Sequence, residues 1–268
     1  MDDTPDLRQM LAVAKYQFLN YVRSRRLLAL AIITLLIGVI YVAVMAYVGV
    51  GKESNALSLI RNWAGNVSFL GILGALFFGG DAIAGEYSKK TGYFLFPQPV
   101  KRDAIIWGKY LASYLAALLI LLLYWGMAIL HTLYYFSEIP VEALYSVALT
   151  LLFLASILSL TYLFSALFKN GTVATVMVAI LYFFAFSIIN SIAMFAGVEP
   201  WFSITYASAI LTAVLQKPYP PHKTVIDAGV MKVTAYTPTL KEGILILLAY
   251  FVISIALTLI IMRYKEMK

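Results

Sequence analysis

The sequence predicts an all-α integral membrane protein with six transmembrane helices, preceded by an amphipathic interfacial helix. Of its 268 residues, 62% are hydrophobic and only 12% are charged, whereas a soluble domain carries about 25% charged residues. Six apolar runs also reach the roughly 20 residues that a helix needs to cross the hydrocarbon. A soluble core of this size could not bury so many apolar residues, so lipid must solvate most of the chain. Soluble enzymes are excluded at this step.

The interfacial helix is predicted over residues 6–24. Apolar residues recur there at helical spacing, and the charged residues fall largely on the other side. Thr4 is a suitable N-cap with Pro5 at the first helical position. A basic amphipathic helix directly before a span tends to lie in the plane of the membrane surface. The alternative is an ordinary surface helix.

The six runs divide the chain into one transmembrane domain without a soluble domain. They are interrupted by one charged segment, 85–107, and one long segment, 199–242. The predicted spans cover about 27–50, 63–84, 108–135, 143–168, 171–197 and 243–263.

The long segment 199–242 is predicted to lie outside the cell. Its first part, Trp201 to Gln216, is too short and too rich in Ser and Thr for a span, so we interpret it as a re-entrant or interfacial helix. Two β-prone runs around Asp227 predict a small hairpin. This external loop could cap an exit path or serve as a passive connector.

The distribution of basic residues predicts the orientation. With six spans, 14 of the 20 Lys and Arg residues fall on the side of the chain termini. Basic residues concentrate on the cytoplasmic side of membrane proteins, so both termini are predicted to be cytoplasmic and the chain to be a multi-pass protein of the plasma membrane. The net charge of +7 therefore reflects membrane orientation, and we predict no nucleic-acid partner.

Several kinds of chemistry are missing from the sequence. There is no phosphate-binding G-x-x-x-x-G-K-[ST] loop, so the chain cannot itself hydrolyse ATP. His131 and His222 stand alone, cysteine is absent, and Asp81 lacks the second intramembrane aspartate of an aspartyl protease. We therefore predict no catalytic residue and no metal site, and the substrate-binding residues stay unassigned.

The spans also lack the charged groups that ion-coupled pumps place in mid-membrane. Uphill transport would thus need energy from another subunit, although a passive pore remains compatible with the sequence. The apolar faces with scattered hydroxyl and amide groups favour lipids, hydrophobic peptides or drugs as substrates.

Segment 85–107 is the densest polar stretch between two spans. It holds one pair of basic residues before a Pro-Gln-Pro break and one pair after it. Asp103 is predicted to be the N-cap of the third span. Such a short charged segment predicts a docking surface. Alternatively, Asp81 and Glu86 only anchor the end of the second span, with Glu86 and Lys90 spaced to support a helix.

The motifs of this segment resemble those of the type-2 (ABC-2) permease family of ATP-binding cassette transporters. The matching motifs are Gly-Glu-Tyr-Ser-Lys-Lys-Thr-Gly at 85–92, Phe-Leu-Phe-Pro at 94–97, Pro-Val-Lys-Arg at 99–102 and Gly-Lys-Tyr-Leu at 108–111. Lys101 stands where the family usually has Ser or Thr. The order of the parts, with an N-terminal helix, six spans and an external insertion before the sixth, is also similar.

The resemblance implies the permease subunit of an exporter, which would form its substrate path with a second permease chain in a homodimer or heterodimer. ATP and Mg would be bound by separate ATPase subunits, with no cofactor in this chain. The N-terminal helix would be an elbow on the membrane surface. The alternative is a non-transporting anchor or assembly subunit for a soluble partner. The residues implied to couple the spans to the ATPase are Glu86, Lys89, Lys90, Pro99, Lys101, Arg102 and Asp103.

Overall fold

The computed structural model describes residues 4–48, 55–88, 101–227 and 232–265, and these residues form a bundle of helices with one small hairpin. Six helical stretches in the described part are long and apolar enough to span a membrane, which confirms the predicted fold class. The helices are α1 Thr4–Val22, α2 Arg25–Val48, α3 Ala56–Ala64, α4 Val67–Gly79, α5 Ala84–Ser88, α6 Arg102–Phe136, α7 Val141–Leu167, α8 Gly171–Ile180, α9 Phe186–Ala196, α10 Ile204–Ala207, α11 Ile210–Ala213 and α12 Leu240–Tyr264.

The helices cross the bundle in alternating directions, so it has two ends. We call the end at which α2 and α6 begin the proximal end, and the end at which α12 begins the distal end. The stretch Ala56–Ser88 lies at the centre, with 72% of its apolar window buried, against 17% for α2. Fully buried aromatic side chains from α3, α4, α6 and α7 fill this centre, because every neighbouring helix presents an apolar face to it.

The second span differs from the single run predicted over 63–84. It begins earlier, at Ala56, where Asn55 Oδ1 accepts a hydrogen bond from the Ser58 N–H at 2.8 Å. It is then divided into α3, α4 and α5 by turns at 65–66 and 80–83. Hydropathy did not reveal these turns, because each holds a single strongly polar residue, Asn66 or Asp81, between long apolar runs.

The third span corrects the prediction that Asp103 is its N-cap. Helix α6 begins at Arg102, Lys101 occupies the cap position, and Asp103 lies inside the first turn. A carboxylate in the first turn still stabilises the helix through its dipole. The helix is 35 residues long, which is more than a membrane crossing needs.

Helix α1 packs along the proximal half of α6 through Ala14 and Tyr21, both of which are buried. The Tyr21 hydroxyl donates to the Phe78 carbonyl oxygen at 3.0 Å, which ties α1 to the end of α4. Gly108 permits this contact, since a Cβ there would lie 2.7 Å from the Met10 carbonyl oxygen. That α1 lies in the membrane surface stays a prediction.

The fifth span contains a π-helical turn at Leu181–Ala185, between α8 and α9. The Phe186 N–H bonds the Leu181 carbonyl oxygen, five residues back instead of four. Such a turn inserts one extra residue into the helix. Gly197, at a φ of 67°, ends α9 in the left-handed conformation that favours glycine.

The distal segment holds two short helices and the predicted hairpin. Helices α10 and α11 pack against α12 and α7, and most of their residues are buried. Strands β1, Lys223–Asp227, and β2, Lys232–Tyr236, pair antiparallel with Val225 opposite Thr234. The hairpin is therefore confirmed for the strands, while its turn lies outside the described residues.

Candidate functional site: the proximal charge cluster

The turn after α4 places the acidic residues of the second span. The Ser165 hydroxyl oxygen of α7 accepts hydrogen bonds from the N–H groups of Ile83 and Ala84, each at 3.0 Å. These bonds satisfy backbone donors that the turn would otherwise leave buried without partners. Gly171 lets α8 approach the turn closely, since a Cβ there would lie 2.6 Å from Asp81 Cβ. The turn thereby fixes Asp81 at the meeting point of α2, α4 and α8.

Asp81 forms a two-pronged ion pair with Arg26, in the first turn of α2. The two Arg26 nitrogens donate to the two carboxylate oxygens at 2.8 and 2.7 Å. This pair lines a cavity of about 430 Å³, together with Ser88, Asn170 and Thr175. Two parallel hydrogen bonds fix the relative orientation of the groups as well as their distance. The first and second spans are thus joined at the proximal end.

Glu86 and Lys109 form a second ion pair, between α5 and α6. Lys109 is only 5% exposed, and its amine also donates to the Ala82 carbonyl oxygen at 3.1 Å. A buried ammonium group is stable only when a counter-charge and hydrogen-bond acceptors surround it. These two helices flank the segment 89–100, so the ion pair joins the second and third spans on both sides of that segment.

A third set of contacts joins the start of α6 to the end of α12. Asp103 forms an ion pair with Arg263, and the Arg102 guanidinium donates to the Met262 carbonyl oxygen at 3.1 Å. The Met262 carbonyl belongs to the last turn of α12, where a cation interacts favourably with the helix dipole. The third and sixth spans are therefore held together by charged residues from both helices.

Lys265, directly after α12, completes the cluster. Its amine donates to the carbonyl oxygens of Ala166 and Phe168, the latter at 3.1 Å, at the end of α7. The same amine lies 4.5 Å from the centroid of the Tyr87 ring. Burial, and then the charge of Lys169, lower the pKa of Lys265. The residue links the second, fourth and sixth spans at this end.

The resulting proximal charge cluster combines predicted residues with others that the sequence reading did not single out. Of the predicted residues, Glu86, Lys101, Arg102 and Asp103 lie at this end of the bundle, around the two ends of segment 89–100. Lys89, Lys90 and Pro99 lie outside the described residues. Glu86 contacts Lys109, and its predicted i, i+4 partner Lys90 also lies outside the described part. The additional members are Arg26, Lys109, Arg263 and Lys265, and Asp81, which the sequence suggested only as an anchor of the second span, also belongs to the cluster.

One signal in the sequence could have identified Lys109. It is the eighth residue of a helix that is otherwise apolar from Ala104 onward, and a lysine at such a position needs an acidic partner. The partner itself was not identifiable, since Glu86 lies 23 residues earlier in the chain. Arg263 and Lys265 gave no such signal, because basic residues are common at the cytoplasmic ends of spans.

The cluster joins the proximal helix ends to one another through ion pairs and hydrogen bonds. Its side chains are paired with one another or with helix-end carbonyl groups, so their geometry serves cohesion. Elsewhere in the described part, His131 accepts a hydrogen bond from Trp63 Nε1–H at 3.0 Å, as expected for a lone histidine between helices.

Comparison with known protein families gives one match. The profile of a family described as "ABC-2 family transporter protein" matches residues 11–268. The match begins inside α1 and includes all six spans and the distal hairpin. A search of curated proteins found no matching relative.

Proposed function

The chain belongs to the ABC-2 family of transporter proteins, and we propose that this permease subunit is an exporter driven by separate ATPase subunits docked on segment 85–107. The proximal end then faces the cytoplasm, and the distal hairpin faces outward. A second permease chain completes the substrate path. ATP and Mg bind to the ATPase subunits only.

The observation that carries this proposal is the buried ion pair between Glu86 and Lys109. Segment 89–100 is attached to α5 on one side and to α6 on the other, and the ion pair fastens these helices together. A partner that pushes or pulls on the segment would therefore move the second and third spans as one body. Breaking the pair during such a movement would leave a buried charge without its partner, which is costly.

The other ion pairs would carry the movement to further spans. Asp81 and Arg26 link the second span to the first, and Asp103 and Arg263 link the third to the sixth. Ion-paired helix ends behave as discrete, packed contacts, which favours coupled rigid-body movement over independent bending. The proximal cluster is therefore suited to distribute a single input over the bundle.

The need for an outside source of energy follows from the spans themselves. No Asp, Glu, Lys or Arg occurs over 110–137, 143–168 or 243–262. A proton- or ion-coupled pump places such residues at mid-membrane despite their cost. ATP hydrolysis by docked subunits is the source that the family membership supports.

Pairing with a second permease chain is supported by the outer helices. Helix α2 buries only 17% of its apolar stretch within the chain. Helix α12 and the fifth span each bury 22% of theirs. Lipid covers such faces in an isolated chain, and packing against another subunit can replace that lipid without a hydrophobic cost.

The proposal is tested by the effect of ATP on a single cysteine at the distal end. A cavity at the distal end is lined by Asn190, Thr205 and Tyr236. The chain has no native cysteine, so Asn190→Cys introduces the only thiol beside this cavity. The permease is assembled in liposomes with an ATPase subunit that co-purifies with it. We expect Mg-ATP to change the rate of labelling by a membrane-impermeant thiol reagent severalfold.

The matched control is the same complex with an ATPase subunit that binds but does not hydrolyse ATP. In this control, the labelling rate should take one constant value once ATP is bound. An anchoring subunit would also bind its partner, but its labelling rate would be the same with and without nucleotide. Stable assembly with a labelling rate that ignores ATP would thus refute the proposed transport role.

A further inference from the structure

The distal end brings together three potential metal ligands that lie far apart in the sequence. Glu199 follows α9, His222 precedes β1, and Glu242 lies in the first turn of α12. One ligand atom from each residue lies within 4.8 Å of the other two. All three side chains are partly exposed, at 29%, 38% and 45%, so ions from solution can reach them. We call these residues the distal cluster.

The hydrogen bonds of His222 show which of its nitrogens is available as a ligand. Nδ1 lies 3.0 Å from the carbonyl oxygen of Thr237. A carbonyl oxygen only accepts hydrogen bonds, so Nδ1 carries the proton and donates it. In the neutral ring, Nε2 then keeps a free electron pair, and a backbone carbonyl on the opposite nitrogen is the usual arrangement for a metal-binding histidine.

The Nε2 atom of His222 faces a carboxylate oxygen directly. Glu199 Oε2 lies 3.4 Å away. A ring nitrogen and a carboxylate oxygen at this separation can bind the same cation. Two ligands about 2.1 Å from a tetrahedral zinc ion are separated by roughly 3.4 Å, so the observed distance suits such an ion.

The two carboxylates are held in place by their own hydrogen bonds. The Tyr206 hydroxyl donates to Glu199 Oε1 at 2.7 Å, which leaves Oε2 facing the histidine. Burial, and then this hydrogen bond, raise the pKa of Tyr206, so its hydroxyl stays a donor. Glu242 accepts from the Thr239 N–H at 2.9 Å as part of a capping box. Outer hydrogen bonds of this kind orient metal ligands.

The charges of the cluster also favour a divalent cation. Among the side chains that the structure describes, His222 is the only basic one within ion-pair distance of the two carboxylates, with Nε2 3.4 Å from Glu199 Oε2 and Nδ1 3.7 Å from Glu242 Oε2. The neighbouring Lys223 instead places its amine 5.8 Å from the centroid of the Tyr236 ring. The two carboxylates beside one imidazole supply the negative charge that a divalent ion would balance.

We propose that the distal cluster binds one divalent transition-metal ion, of which Zn²⁺ is the representative, through Glu199, His222 and Glu242. One imidazole and two carboxylates suit zinc and its neighbours better than Mg²⁺ or Ca²⁺, which prefer oxygen ligands alone. Water fills the remaining coordination position. The ion fastens the hairpin to the distal ends of the fifth and sixth spans, from which the other two ligands come.

The proposal is tested by metal binding to the purified full-length chain, with affinity tags removed and bound metal stripped by a chelator. Equilibrium dialysis against Zn²⁺, followed by metal analysis, should find one ion per chain. Loss of an outer hydrogen bond alone weakens metal binding about 10- to 100-fold. We therefore expect His222→Gln and Glu199→Gln each to weaken Zn²⁺ binding at least tenfold.

Two matched variants control for general effects. His131→Gln removes the other histidine, and Glu142→Gln removes a distal carboxylate that pairs with Lys217. Both should bind Zn²⁺ as the wild type does. Because bound metal stabilises the folded state, Zn²⁺ should raise the melting temperature of the wild type and of both controls, but not of the His222 variant.

Two results would overturn the assignment. The first is a wild-type chain that binds no stoichiometric Zn²⁺, in which case His222 pairs with the glutamates through a proton only. The second is unchanged binding in both ligand variants, which would place the ion elsewhere. Size-exclusion profiles and helical content of each variant establish that it is folded before binding is measured.

Discussion

At the scale of single residues, Lys109 has the most demanding environment in the proximal charge cluster. Its side chain is nearly buried between α5 and α6, and it meets Glu86 and a backbone carbonyl. Such a pair adds little net stability, because desolvation of both charges opposes their attraction. We infer that the pair contributes to specificity, since few arrangements of the two helices satisfy both charges. This makes it sensitive to removal of one partner.

We predict that Lys109→Met impairs both stability and the ATP-dependent labelling response. Breaking a fully buried ion pair costs roughly 3–5 kcal/mol, and the 22% exposure of the Glu86 side chain lowers this cost. The melting temperature of the purified chain should fall, and most of the severalfold ATP-dependent change in labelling at position 190 should be lost.

The double variant Glu86→Gln with Lys109→Met removes both charges and should recover much of the stability. Lys169→Met is the control, since Lys169 is an exposed residue at the same end. If Lys109→Met and Lys169→Met behave alike, Lys109 has no special role in coupling.

At the scale of elements, the π-helical turn in the fifth span determines which side chains face the distal helices. One extra residue rotates the following helix α9 by about 100° relative to a regular continuation. In the observed register, the Asn190 amide donates to the Thr205 hydroxyl at 2.8 Å. The turn therefore aligns α9 with α10 and with the cavity beside them.

Deletion of Phe184 is predicted to convert the π-helical turn into a regular helix and to rotate α9 away from α10. The measurement is a disulfide between Asn190→Cys and Thr205→Cys, which should form readily in the otherwise wild-type chain and at least several times more slowly after the deletion.

Phe184→Ala is the matched control, because it removes the same exposed side chain but keeps the residue count. It should leave the rate of disulfide formation nearly unchanged. Equal rates in the deletion and the control would mean that the π-helical turn does not set the register of α9.

At the scale of the whole molecule, the two ends of the bundle differ in chemistry. The proximal end holds a chain of ion pairs that joins helix ends, whereas the distal end holds the hairpin, the short helices and the distal cluster. An even number of spans places both chain termini on the same side. The excess of basic residues on that side predicts that it is cytoplasmic.

The orientation is tested by single cysteines at two exposed positions. Lys101→Cys lies at the proximal end and Lys223→Cys at the distal end. In intact cells, a membrane-impermeant thiol reagent should label position 223 and should reach position 101 only after the membrane is permeabilised. The reverse pattern would overturn the proposed orientation. Three spans separate the two positions, so labelling of both in intact cells would contradict the even number of spans in the chain.

Much of the fold was predictable, because the signals for it are local. The length of each apolar run set the number and order of the spans, and the alternating β-prone residues near Asp227 indicated the hairpin. The turn at 80–83 was not predictable, since it depends on Ser165 of another helix. The predicted N-cap of α6, Asp103, was wrong by two positions, since Lys101 occupies the cap. Asp103 instead lies inside the first turn, where it pairs with Arg263.

The sequence by itself determined that this is a six-span membrane protein without an ATP-binding loop, with one polar segment between its second and third spans. Only the tertiary structure decided which charges meet. Arg26 and Asp81 are 55 positions apart, Asp103 and Arg263 are 160 apart, and the distal cluster draws on three separate elements. Hydropathy and charge along the chain dictate local structure and the membrane boundary, but contacts between distant side chains depend on how the helices pack.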